Sequence, residues 1–495
     1  MKKANILYSF FLSLILFSTN SCEKLLTEKP KATISLNELD PVLLGQAITG
    51  IYEPLARNRG RIWESTVGLV FELMSDYADG GAQQLNRSNY NNLLNVPDDL
   101  AATWSTLNEA IGRSNLLIAN LDISTGLTDA QKKSAYGEAY FVRAICFTFA
   151  SRVWGSFPMR LKPILNSNDV GLAKSEITVV YDQIIKDLKF AETSLPNTVP
   201  SGMSGRATAG AAKTALAEIY LYKGDYQNAR LKAKEVMDNK ATYGYNLVPV
   251  FGDLFSPTAP TNSEEIFAIK MSQTLRSGSF LASYWADSRA KAAGYCIAGN
   301  RFGGVMSWAP LISGWDNNDL RKRWSLYSNY MINGVLTGAE VEPGLYDTRI
   351  GKYRDMTTGS SSDCGNDFYL LRYADVLLIF AEAENKLNAA SADAYNAINQ
   401  VRRRAYGLPT GIPSVVADLP AGLTQTQFDD LVFRERGYEF IGECKRWYDM
   451  VRTGRVDKQL SAVRAFMPNP GRKTTPARFL WPLPSNELAD NPLAK

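Results

Sequence analysis

The 495-residue chain contains no histidine. That removes the commonest general base and metal ligand. A Ser-His-Asp triad, a Cys-His dyad and a His-ligated zinc site are all excluded. Cysteine is scarce: there are five, and none forms a C-x-x-C pair. No metal site or cofactor is expected. Excess charge is also lacking. The 54 Lys and Arg against 50 Asp and Glu leave +4, too mild to argue for a nucleic-acid partner. Beyond the first 17 residues no apolar run is long enough to cross a bilayer. What remains is a chain with 45% hydrophobic residues, ample for a large core and two lobes.

The N-terminus reads as an export signal. Lys2 and Lys3 precede an apolar stretch from Ile6 to Phe17, followed by Ser18, Thr19, Asn20, Ser21 and Cys22. A small residue and then Cys after such a stretch looks like a bacterial lipobox, with Cys22 as the lipidated terminus and the lipid as the only anchor. Thr19 stands where Leu is usual. The expected organisation is a signal at 1–21, a polar tether at 22–40, a helical region at 41–248, and a second region at 249–495.

Helical periodicity dominates. Tyr136 to Trp154 carries Phe141, Ala144, Ile145 and Phe149 on one face, with Gly155 and Pro158 as stops. Ala209 to Met237 reads as a helix pair turning at Lys223, Gly224 and Asp225. Its A-x-x-x-L-A-x-x-Y then G-D-Y-x-x-A spacing is of tetratricopeptide type. Two helices cannot bury their faces alone, so further pairs should stack on this one. Phe368 to Leu387 and Ala392 to Ala405 form another pair. Phe433 to Arg455 is expected as one helix, with Phe433, Phe440, Ile441, Cys444, Trp447, Tyr448 and Val451 on its apolar side. Glu435, Glu439 and Glu443 repeat at i,i+4, which destabilises an isolated helix. Arginines among Arg402, Arg403 and Arg404 are expected to neutralise that row. Cys146 and Cys444 fall on apolar faces and should be buried thiols. Cys296 and Cys364 lie in loop-like sequence and either pair or stay free.

Several motifs carry a resemblance. Glu435, Arg436, Glu439, Glu443, Arg446, Trp447 and Asp449 match the spacing of a C-terminal signature. The helix G-E-A-Y-F-V-R-A, with Arg143, ends in an aromatic-Gly-x-x-Pro turn. The segment 370–388 and the tail F-L-W-P-L-P-S-N-E-L-A-D-N-P-L follow in order. Together they resemble SusD/RagB-type proteins, nutrient-binding lipoproteins of the Bacteroidetes outer membrane. Gly437, Gly442 and Cys444 depart from the usual pattern. The resemblance implies an all-α fold of tetratricopeptide-like helix pairs with a long loop-rich region. It implies a surface protein, lipid-anchored in the outer membrane, that captures an oligosaccharide or other nutrient. Delivery would be to a SusC-like TonB-dependent transporter, with no bond broken.

Sugar recognition needs flat rings for pyranose C–H faces and amide, carboxylate or guanidinium groups for hydroxyls. Two non-periodic regions supply them. One contains Asp76, Asp79, Gln83, Arg87, Asn89 and Tyr90. The other contains Tyr284, Trp285, Tyr295, Phe302, Trp308 and Trp315. The chosen candidates are Asp79, Arg87, Asn89, Tyr90, Tyr284, Trp285, Trp308 and Trp315. Trp308 and Trp315 are equally open to core or ligand-facing roles. Of Tyr284 and Trp285, at most one should face ligand if the segment is extended. Two other readings stay open: a helical glycoside hydrolase using a carboxylate pair such as Asp76 and Asp79, and a protein-binding tetratricopeptide scaffold. Asp316, Asn317, Asn318 and Asp319 resemble an oxygen-rich loop but lack the ligand spacing of a calcium site.

Overall fold

The computed structural model describes residues 39–56, 62–63, 70–80, 98–199, 202–259, 261–274, 278–299, 303–341, 346–467, 473, 475 and 479–495. The expected signal, the tether up to residue 38 and Cys22 lie outside the described residues.

The helix pair at the centre of the sequence forms as its residues dictate. Thr208 accepts the Ala211 amide (3.1 Å) and starts α5 (Ala209–Lys223). Gly224 reverses the chain at φ 76, and Asp225 caps α6 (Tyr226–Asp238) by accepting from Asn228 N (3.1 Å). Ala211, Ala212, Ala215, Ala229 and Ala233 are buried, and their small side chains let the two helices approach closely. Among the described residues four α-helices precede the pair: α1 (Pro41–Ala56), α2 (Asp98–Ile123), α3 (Asp129–Trp154) and α4 (Ile177–Ser194). Each packs on the next in chain order, through to α6. The stack then continues without a break. Helix α7 (Tyr373–Asn388) packs on α6 although more than a hundred residues separate them, and α8 (Ala392–Ala405) and α9 (Gln425–Glu439) pack on α7. The chain between is an insertion that leaves the stack and returns to it. Helix makes up 54% of the chain, so the all-α expectation holds.

The insertion is built from short pieces. Among the described residues eight strands of two to five residues, seven of them in the insertion, form four two-stranded antiparallel sheets. Two of these sheets matter here. In one, β1 (Ala78–Gly80) pairs with β3 (Gly303–Val305). In the other, β2 (Glu265–Ile269) pairs with β8 (Phe368–Arg372). Residues 368–372 are therefore strand where periodicity predicted the start of a helix. Phe368, Tyr369 and Leu371 are buried beside β2, and Asp375 accepts the Arg372 amide (3.0 Å) to begin α7.

The expected helix over Phe433–Arg455 is interrupted. Helix α9 ends at Glu439, and α10 (Arg446–Arg452) begins after a turn in which Gly442 and Cys444 take φ 77 and 62. Cys444 thus lies in a turn rather than on a helix face. Side chains satisfy the peptide groups released there. Lys352 Nζ (3.0 Å) and Arg372 Nη2 (2.9 Å) donate to Glu439 O, and Tyr353 OH donates to Gly442 O (3.2 Å). A second difference is burial: Glu435, Glu439, Glu443, Arg446 and Asp449 are buried with the apolar side.

The carboxylate row is neutralised as expected, and more completely than the sequence shows. Arg404 pairs with Glu439 and with Glu264 (2.9 Å), and Arg402 pairs with Glu435 (2.9 Å). Arg403 turns instead to Asp418 (2.6 Å). The remaining cations come from elsewhere. Arg321 reaches Asp319 (2.6 Å), Glu435 (2.7 Å) and Glu439 (2.7 Å). Arg372 reaches Glu264 (2.6 Å), Glu439 (2.5 Å) and Glu443 (2.9 Å), and Lys352 reaches Glu443 (2.7 Å). Burial alone would raise the Glu439 carboxyl, but Arg404, Arg372 and Arg321 hold it well below its ordinary range.

All four described cysteines are buried, and Cys296 and Cys364 do not form a disulfide with each other.

Replacing Arg404 with Met should cost about 3–5 kcal/mol, because Glu264 and Glu439 lose a buried partner. The Arg402→Met change, at a partly buried side chain, should cost less, since Arg321 still reaches Glu435. Thermal melts of both variants check the order; an undiminished melting temperature for Arg404→Met would contradict the network's role.

Candidate functional site

The two candidate regions, more than two hundred residues apart in sequence, are joined by the β1–β3 pair. Asp79 faces Gly304 across it, and Met306 N donates to Tyr77 O (2.8 Å). Beneath the pair lies a second apolar cluster, separate from the main core. Its members include Leu73, Tyr77, Trp285, Val305, Met306 and Trp315. Gly303 is required by this packing: a Cβ there would sit 2.7 Å from Leu73 Cδ2 and 3.0 Å from Trp285 Cζ3.

Residues 70–80 are held from the C-terminal signature. Arg446 grips Asp76 with two hydrogen bonds (Nε 2.9 Å, Nη2 2.7 Å) and lies over the Phe433 ring (3.8 Å). Tyr77 OH accepts from Gly442 N (3.1 Å), and Glu72 Oε1 accepts from Cys444 N (2.5 Å). Lys473 Nζ, fully buried, donates to the carbonyls of Leu73 (2.5 Å), Ser75 (3.1 Å) and Ala78 (2.6 Å). Lys473 was missed in the sequence because a single lysine in a non-periodic tail carries no pattern.

The structure sorts the aromatic candidates. Trp285 is 1% exposed and closes the short helical turn Leu281–Trp285 under β3. Trp315 is 2% exposed, stacks on Tyr438 (4.6 Å, 8°) and donates its indole N–H to Asp319 (2.8 Å). Both rings pack as core. Tyr284 and Trp308 are half-buried at the rim of the same cluster. Tyr284 stacks on Phe280 (5.5 Å, 9°), and the Trp308 indole N–H finds no acceptor among the described residues. The segment holding Tyr284 and Trp285 is helical, not extended, and of the two only Tyr284 reaches the surface. Tyr295, half-buried, stacks on Tyr327 (5.3 Å, 19°) and lies under Arg354 (4.5 Å). Asp79 is buried, with Oδ1 accepting from Gly80 N (2.8 Å). Gln83, Arg87, Asn89, Tyr90 and Phe302 lie outside the described residues.

The carboxylates suggested for hydrolysis or calcium are engaged. Asp76 and Asp79 are buried, and Asp79 is on β1 rather than a helix. Asp316 accepts from Asn318 N (2.9 Å) and Tyr406 OH (2.8 Å), and Asp319 holds Arg321. A separate cavity of about 430 Å³ lies between the start of α5 and β2, lined by Arg206, Tyr243, Tyr245 and Glu265 among others. None of the sequence candidates lines it.

Residues 27–221 match a family model described as starch-binding associating with outer membrane, and residues 344–494 match the SusD family. The chain belongs to the SusD/RagB family. SusD-like protein P2 of Formosa agariphila is 28% identical over 90% of this chain and 90% of its own length. SusD-like protein P25 of the same organism is 25% identical over 100% of this chain and 98% of its own. Among solved structures, a SusD homolog from Bacteroides thetaiotaomicron superposes with a TM-score of 0.79 at 21% identity, covering 93% of this chain and 97% of that one. Surface glycan-binding protein A of that organism, in complex with laminarihexaose, superposes with a TM-score of 0.73 at 21% identity, covering 91% and 98%. These likenesses show that the chain has the SusD fold.

Glu72 gives this SusD/RagB protein a pH signature. Burial raises its carboxyl from 4.5 to about 8, against the opposing pull of the Cys444 amide and Lys352. The folded state therefore keeps a proton that the unfolded chain releases above pH 4.5. Stability should fall as pH rises from 5 to 8, by up to about 1.4 kcal/mol per unit. Lys352, lowered to about 8 by burial, acts in the opposite sense only above that window. Glu72→Gln should flatten the decline. Melts at pH 5 and pH 8 check this: parallel curves for both proteins would remove Glu72 as the cause.

Proposed function

We propose that this SusD/RagB protein binds an oligosaccharide on the face carried by β1 and β3 and passes it, unbroken, to a SusC-like TonB-dependent transporter. It would do so from the outer surface of the outer membrane, anchored through Cys22. The observation that carries the reading is the joining of the two candidate regions over a dedicated apolar cluster, which leaves Tyr284 and Trp308 at its rim. Rings fixed from below lose little rotamer freedom on stacking against a sugar. Solved relatives with this fold include a laminarin binding SusD-like protein. The binding reading is favoured over hydrolysis because Asp76 is clamped by Arg446 and both Asp76 and Asp79 are shielded from solvent. Of the sequence candidates, Trp285 and Trp315 then serve as supports, while Arg87, Asn89 and Tyr90 remain assigned to the ligand by region.

Calorimetry and a glycan array on the soluble chain starting after Cys22 test this. Tyr284→Ala and Trp308→Ala should each weaken the best ligand about tenfold or more, near 1.4 kcal/mol, with the melting temperature unchanged. Trp315→Ala should instead destabilise the fold by about 3–5 kcal/mol. Full affinity in both folded rim variants would refute the face. Shortened oligosaccharides after long incubation would favour a hydrolase. A pull-down from solubilised outer membranes that yields no large β-barrel protein would refute the delivery step.

A further inference from the structure

Where the helix stack meets the C-terminal signature, a small cavity of about 20 Å³ is walled largely by charge. Its cations are Arg152 at the end of α3, Arg436 on α9, Lys445 in the turn and Arg452 on α10. Its carboxylates are Glu218 on α5 and Asp449 on α10. Asp449 is already spent, and Lys445 and Arg452 are balanced from outside the cavity by Asp375 (2.5 Å) and Glu382 (2.5 Å). Asp449 accepts from Arg436 Nε (2.7 Å) and Arg452 Nε (2.8 Å). Glu218 lies 3.0 Å from Arg152 Nη2. Burial opposes ionisation of Glu218, yet Arg152, Lys445 and Arg436 hold its carboxyl below the usual range.

The unmatched groups are donors. Arg152 Nε, Arg436 Nη1 and the Tyr448 hydroxyl are all buried without a hydrogen-bond partner, and all three residues line the cavity. Buried guanidinium donors left without an acceptor are costly. Arg152 is fixed as well, lying over the rings of Tyr222 (5.1 Å) and Tyr448 (5.6 Å). It cannot swing away to find another acceptor.

We infer that this cavity is a binding site for one monatomic anion, of the halide class, held by Arg152, Arg436 and Tyr448. The volume accommodates a single atom-sized occupant, about one water sphere of roughly 10–15 Å³. It excludes phosphate, sulfate and a ligand carboxylate. A halide accepts from several donors and donates nothing, which is the complement of what the wall offers. A water in its place would have only Glu218 left to accept its two hydrogens, since Asp449 is held by Arg436 and Arg452. The ion pins α3, α9 and α10 together at the junction of stack and signature. It is independent of the glycan face.

The test is thermal melting of the mature chain in sodium chloride or bromide against sodium gluconate at equal ionic strength. A saturable rise of roughly 2 °C or more in both halides is expected. Tyr448→Phe keeps the ring and removes one donor, so it should shift the halide midpoint several-fold upward while the gluconate melting temperature changes little. Crystals grown in bromide give a second readout, an anomalous peak between Arg152 and Arg436. A water at that position in bromide, or melting indifferent to halide in the wild-type chain, would overturn the assignment.

Discussion

Glu439 is the point on which this fold converges. Its carboxylate takes Arg372 from the end of β8, Arg404 from α8 and Arg321 from the insertion, and its carbonyl takes Lys352 and Arg372. Five carboxylates (Glu264, Asp319, Glu435, Glu439, Glu443) face five cations (Arg321, Lys352, Arg372, Arg402, Arg404). An ion without a partner in such an interior is prohibitively costly, so the set works only when complete. That requirement selects one arrangement. The insertion cannot slide on the helix stack without stranding Arg321 or Lys352, and β2 cannot slip against β8 without parting Glu264 from Arg372.

The same turn positions the proposed binding face. Arg446, Tyr77, Glu72 and Lys473 tie residues 70–80 to the signature, and β1 then carries β3 and the second apolar cluster. The signature residues therefore act on the ligand face at one remove. Their charges are spent inside the protein, and the face itself is left to loops that can differ in sequence without disturbing the frame. Such a separation lets one frame carry faces of different chemistry.

Much of the stack was legible, because helix pairs announce themselves locally. Ala212, Ala215 and Ala229 at helical spacing, with Gly224 and Asp225 between, leave little choice of structure. The carboxylate row at Glu435, Glu439 and Glu443 also demanded cations, and Arg402 and Arg404 answered it. What could not be read were the features decided at long range. The break at Gly442 is invisible to periodicity, since the apolar positions continue through it. The strand at 368–372 exists because β2 lies beside it. Among aromatics, sequence offered no way to separate Trp315, sealed against Tyr438, from Trp308, seven residues away at the rim.

Glu72 and Glu439 show how local the decision between charge and neutrality is. Both are fully buried within the same region of the fold, yet one holds its proton to about pH 8 and the other is ionised far below its ordinary range. Burial acts on both in the same direction. The difference is coordination: Glu439 meets three guanidinium groups, whereas Glu72 meets one backbone amide and the more distant field of Lys352. Neutral Glu72 can tie the site segment to the signature turn by a hydrogen bond without adding a sixth negative charge to a balanced set. An arginine there would have been needed to ionise it, and Arg446 of the signature is already committed to Asp76.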